Sequence, residues 1–143
     1  MGNSDTVRAI TDNIKAVLKS LGIHLSPDIY RDDKNVPASL MPYGHIFYEG
    51  EDFEYTNGQR PGYAECSFTI KVLLKERDPS AMVREQQRWV HDIRGALTVN
   101  ALNAGTLAVT GYVTRVTTRG VDVENSMYLS RLVYSLSVRY RES

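Results

Sequence analysis

The sequence predicts an α+β domain: a mainly antiparallel sheet with two helices packed on one face and a protruding β-hairpin. Three observations carry that prediction. Residues Ala64, Cys66, Phe68, Ile70, Val72 and Leu74 alternate with Glu65, Ser67, Thr69, Lys71 and Lys75, the period of a half-buried strand. Asp78-Pro79 then supplies an N-cap side chain and a proline at the first helical position, and Met82, Gln86, Trp89, Val90, Ile93 and Leu97 follow at spacings of three and four. The chain closes on a second regular alternation, Tyr128, Leu132, Tyr134, Leu136, Val138 and Tyr140 against Arg131, Ser135, Ser137, Arg139 and Arg141. With 143 residues and 42% apolar content the whole chain, residues 1–143, reads as one domain.

The first element is an amphipathic helix. Ser4 or Asp5 offers a cap, Val7, Ile10, Ile14, Val17, Leu18 and Leu21 form one stripe, and Gly22 offers a stop. Met1 to Thr6 fits the short myristoylation pattern, but no basic cluster or nearby cysteine supplies a second anchoring signal, so a frayed terminus is expected. Between Ile23 and Leu40 the pattern weakens into an extended piece at Asp28-Ile29-Tyr30 and a polar turn at 31–35, and Val36-Pro37 restarts the chain.

Tyr43 to Glu49 is aromatic and β-branched and reads as a strand, with Pro42 at its start. Gly50 to Gly62 contains Asn57-Gly58 and Pro61-Gly62, which is hairpin chemistry, and Phe53-Glu54-Tyr55 extends the flanking strands into an arm. After the second helix, Asn103 to Gly105 closes the helical region. Leu107 to Val123 is a further strand with Gly111 as its expected bulge, and Asp122 to Ser126 is the turn into the last strand. Leu73 and Val133 are the exceptions to alternation. Both helices are expected on the even-numbered face of the strands.

The chemistry is mostly excluded. Lysine plus arginine equals aspartate plus glutamate at 17 each, so no overall basic field gathers nucleic acid or anionic lipid. No apolar run approaches the roughly 20 residues that span a bilayer, and no signal core is present, so a soluble chain is expected. His24, His45 and His91 lie in separate elements at no metal-ligand spacing, and there is no nucleophile elbow, Walker loop or dinucleotide glycine pattern. Neither catalytic residues nor a cofactor are expected. Cys66, the single cysteine, reads as a small core residue.

Charge is nevertheless uneven. From Ile23 to Gly62 seven acids meet three bases, whereas from Leu107 to Ser143 five arginines meet three acids. A subunit with one acidic and one basic edge packs head to tail, and such a contact closes into a ring. The interface candidates on this reading are Glu49, Glu51, Asp52, Glu54, Tyr55, Arg131, Arg139 and Arg141. Glu51 and Glu54 as a glycosidase-like pair lack an apolar pocket to split their roles. Nine tyrosines, among them Tyr48, Tyr55, Tyr63 and Tyr128 near strand ends, also suit interfaces.

In element order the chain resembles the tail terminator and tail-completion proteins of long-tailed bacteriophages. The likeness rests on the helix from Thr6 to Leu21, the Val36-Pro37 start of the sheet, the acidic arm Glu49 to Asn57, Thr69 to Leu74 running into Asp78-Pro79 and the Trp89 helix, and the strand Tyr128 to Tyr140. It implies a virion protein assembled in the host cytoplasm, a homo-oligomeric ring, typically of six subunits, at the tail end near the neck. Its partners would be further copies of itself, the tail tube protein and a neck or head-completion protein, with DNA passing through the lumen without specific binding and no membrane involved. An acidic strip at Glu49 to Glu54 lining that lumen would repel phosphates. Three alternatives stand beside this: a head-tail neck connector, a small α+β ligand-binding or enzymatic domain, and a nucleic-acid binder using Arg115, Arg119, Arg131, Arg139 and Arg141, which must then share a face.

Overall fold

A computed structural model describes residues 2–26, 36–56, 60–103, 108–124 and 126–142. The elements are α1 (Asn3–Ser20), β1 (His24–Leu25), a single 3-10 turn (Ala38–Leu40), β2 (Tyr43–Thr56), β3 (Arg60–Glu76), α2 (Pro79–Ala96), α3 (Val99–Leu102), β4 (Ala108–Glu124) and β5 (Met127–Arg141). They build a five-stranded mixed sheet in the order β1-β2-β3-β5-β4. The predicted α+β class is thus the observed one. The parallel member is β1, a two-residue strand beside Tyr43 and Gly44, and the other pairings are antiparallel. The extended piece expected at Asp28 to Tyr30, the turn at 31–35 and Asn57-Gly58 lie outside the described residues.

The even face of the central strands is the core. Phe68, Ile70 and Val72 of β3 and Leu132, Tyr134 and Leu136 of β5 lie under Ile10, Ile14 and Leu18 of α1 and Met82, Trp89 and Ile93 of α2. Asp78 caps α2 as its sequence position requires, accepting from Ser80 N and Ala81 N at 3.3 Å each. Trp89 is held from three sides: its indole N–H donates to Glu85 (3.1 Å), Tyr134 Oη donates to its carbonyl (2.8 Å), and Arg88 lies 4.7 Å over its ring.

Several expectations are corrected. The first helix begins at Asn3, with Gly2 rather than Ser4 or Asp5 at the N-cap, so the terminus is not frayed from Gly2 onward. Two contacts hold it there: Thr6 N donates to Gly2 O at 3.0 Å, and Asn3 Nδ2 reaches Glu142 at 2.8 Å. A third, one-turn helix, α3, follows Thr98, whose hydroxyl caps Ala101 N. Gly111 is not the bulge. β4 shifts register between Ala108 and Thr110, Val113 and Arg115, and Arg119 and Val121, which is why its alternation is blurred. Gly111 serves close approach instead, since a Cβ there would lie 2.5 Å from Leu102 Cδ1 of α3. The β4–β5 turn is also tighter than Asp122 to Ser126, because pairing continues to Glu124 and Met127 and Ser126 turns the chain at φ 64°.

Leu73 breaks the alternation for a reason. It points to the face without helices and, fully buried, packs there with Tyr43, Leu129 and Val36 in a second apolar cluster. Lys75 Nζ donates to Val36 O at 2.7 Å and ties this segment down.

Because Trp89 is 5% exposed at the centre of the helix-on-sheet core, Trp89→Ala is expected to cost about 3–5 kcal/mol in urea unfolding. Arg84→Ala, on the exposed side of α2, is expected to change stability by less than about 0.5 kcal/mol. Equal losses would mean that the helix docks on another face.

Candidate assembly surface

One glycine decides what the acidic arm presents. Tyr48 of β2 stands opposite Phe68 and Gly50 opposite Ser67, so Glu49 is an extra residue in the ladder, and Gly50 accepts the strain at φ +105°. The alternation restarts one residue late. Glu51, opposite Cys66, turns to the helix side, whereas Asp52, opposite Glu65, and Glu54, opposite Tyr63, turn to the open face.

The acids predicted to form one strip are therefore split. Glu51 accepts hydrogen bonds from Tyr48 Oη and Tyr140 Oη, an arrangement sequence reading missed, although a glycine inside a strand pattern is the signal for it. Burial first, and then the Glu51 carboxylate, moves the pH at which the Tyr140 phenol ionises well above the ordinary tyrosine range. Burial and the same carboxylate push the Cys66 thiol up to about 12, while its Sγ lies 3.4 Å from Val138 O. That thiol is a packing residue, not a nucleophile.

On the open face the arm and the last strand meet within one chain. Arg139 reaches Glu54 through Nη2 (2.7 Å) and Nε (3.2 Å) and lies 4.1 Å over the ring of Tyr63. Ser137 Oγ donates to Glu65. The acidic and basic segments expected to meet between subunits are thus partly satisfied inside one. Arg141 is exposed opposite Tyr63, at the last rung shared with β3. Arg131 sits ten residues before Arg141 along β5, opposite Leu73 and Arg119. Tyr55 lies in β2 opposite Pro61, and its side chain lies outside the described residues. The pairing of Tyr55 and Thr56 with Pro61 and Arg60 is the part of the hairpin that reaches past the last β3–β5 rung.

The register also places Arg115, opposite Ser135, and Arg119, opposite Arg131, on the face that carries Arg139 and Arg141. The five arginines share a side of the sheet, interrupted by Asp52, Glu54 and Glu65. Among the described residues no three histidine, cysteine, aspartate or glutamate side chains come together as a metal-binding group.

Removing Glu51 leaves the fully buried Tyr140 hydroxyl without its acceptor, so Glu51→Ala is expected to cost about 1–3 kcal/mol by urea unfolding. Glu54→Ala breaks only a half-exposed ion pair and should cost less than about 1 kcal/mol. A second expectation concerns alkali. Tyr134, raised by burial and then by Asp92, keeps its proton in the native state above the pH where it is lost on unfolding, as do Tyr140 and Cys66. The native state then binds more protons than the unfolded one, so stability is fully present below about pH 9 and falls as pH rises through 9 to 12. Urea midpoints measured from pH 7 to 11 would read this directly, and a flat profile would show these groups to be solvated.

No protein-family model and no curated protein matches the chain. The fold is shared with solved structures. A chain described as belonging to the virion of a native gene transfer agent particle superposes with a TM-score of 0.53 at 14% sequence identity, covering 94% of this chain and 92% of that one. Another solved structure superposes with a TM-score of 0.52 at 12% identity, covering 95% of each chain. The architecture of this chain, from its first helix to its last strand, is therefore one that also occurs in a virion particle.

Proposed function

We propose that the chain is a non-enzymatic structural subunit of a phage-type virion. Its finer assignment on this reading is a tail terminator or tail-completion protein, whose copies form a ring, of six as the resemblance implies, that caps the tail tube, stops its polymerisation and joins it to the head or neck. The observation that supports the reading is the end-to-end fold match to the gene transfer agent virion chain, at 94% and 92% coverage. The distribution of polar groups agrees with it. Among the described residues, Glu51 is taken up by Tyr48 and Tyr140 of its own chain, as in a structural network.

A head-tail neck connector shares these features and is separated from a terminator by partner choice. A DNA-contacting role draws on one observation, the five arginines on one face, and is opposed by the acids among them and by the neutral total. Duplex DNA binding that falls steeply with salt would favour it.

Light scattering of the purified chain, alone and with tail tube protein, tests the ring. A species of about six times 16.1 kDa that halts tube growth is expected. A 16.1 kDa monomer at every concentration and in the presence of tube protein would overturn the reading.

A further inference from the structure

The two outer strands hold what the rest of the molecule has left unused. Of the five exposed large apolar side chains among the described residues, four lie on these strands, Tyr48 (53%) and Phe53 (49%) on β2 and Tyr112 (54%) and Val123 (69%) on β4, and the fifth, Val83, lies on α2. Charge follows the same division. On β2, Glu51 is taken up by two tyrosines and Glu54 by Arg139, whereas Glu49 and Asp52 are exposed and make no hydrogen bond or ion pair among the described residues. On β4, Arg115 and Arg119 are exposed and equally unpaired among them. β1 covers β2 only at Tyr43 and Gly44, so among the described residues no strand lies beside β2 from Tyr48 to Glu54, and none lies on the outer side of β4. Long open edges of this kind template pairing with another strand.

Topology selects the partner. Three antiparallel steps lead from β2 through β3 and β5 to β4, so β4 runs opposite to β2. A second copy rotated about an axis roughly along the strands, with its helices on the same side, brings its β4 antiparallel to the first copy's β2. A two-fold contact of β2 with β2 would instead set Glu49 and Asp52 against their own counterparts, and β4 with β4 would oppose arginines, both of which cost energy.

We propose that copies of this chain join edge to edge, the β2 segment Tyr48–Glu54 of one pairing antiparallel with β4 of the next, so that one sheet runs through the assembly. The proposal rests on the ring reading above and specifies its contact. Asp52 and Arg115 lie on the same face of the continued sheet and can stand directly opposite each other, and in that register the bulged Glu49 falls beside Thr118, next to Arg119. The contact is heterologous, the kind that closes into a ring.

The test uses the full chain. With Asp52→Cys and Arg115→Cys together, oxidation should give a ladder of covalent oligomers ending at the ring size, because opposed antiparallel Cα atoms lie within disulfide range. Cys66 is buried and contributes no background. Each single cysteine variant should give no ladder. Reversing Glu49 and Asp52 to arginine, or Arg115 and Arg119 to glutamate, should raise the concentration needed for assembly by about tenfold or more, and combining all four reversals should restore it. Circular dichroism and the thermal midpoint of each variant should match the wild type, since the four side chains are exposed. A wild-type ring with no ladder and no response to charge reversal would overturn edge pairing and leave the ring standing. Efficient dimer formation by Asp52→Cys alone would overturn it in favour of a two-fold contact. A wild type that stays monomeric with tube protein present would remove the ring reading and this proposal together.

Discussion

The pairing of β3 with β5 is the constraint on which the rest of the structure depends. From Tyr63 opposite Arg141 to Glu76 opposite Tyr128 the ladder runs without a register shift. Because side chains alternate faces with a period of two, an unbroken ladder fixes the sign of every position on both strands at once. It gives the helices an apolar floor of Phe68, Ile70, Val72, Leu132, Tyr134 and Leu136, and gives the opposite face its serines, threonines and arginines. The flanking strands each carry at least one bulge and take their orientation from this pair rung by rung.

What could be read in the sequence follows from that regularity. β3, α2 and β5 have clean periods and a capping residue, and their faces emerge as expected, Trp89 included. β4 was legible as a strand but not in its facing, since three register shifts move Thr110, Arg115 and Val121 off a simple odd-even count. Leu73 was visible as an exception, but not as a core residue. Its partners Val36 and Tyr43 come from 37 and 30 residues earlier, and only the folded chain brings them over the helix-free face.

The candidate surface was legible in composition and illegible in detail. The acid and arginine excesses are present, yet a charge count treats Glu51 and Asp52 as equals, and the fold sends them to opposite sides. Glu51 accepts from the buried Tyr140 hydroxyl on the helix side, and Arg139 draws Glu54 into an internal pair. Net charge of a segment is a property of the chain. What the fold leaves unpaired on the two outer strands, among the described residues, is Glu49 and Asp52 on β2 and Arg115 and Arg119 on β4.

The bulge makes one backbone conformation, at Gly50, the quantity held constant in this arm. Substituting any single acid changes one side chain, but pairing the same residues without the bulge would exchange the two sides of the segment as a block, carrying Asp52 and Glu54 to the helix side and expelling Glu51 from its tyrosines. Variation among functional copies of such a domain should then spare Gly50 while the acids around it change, a pattern of tolerance set by parity and not by chemistry.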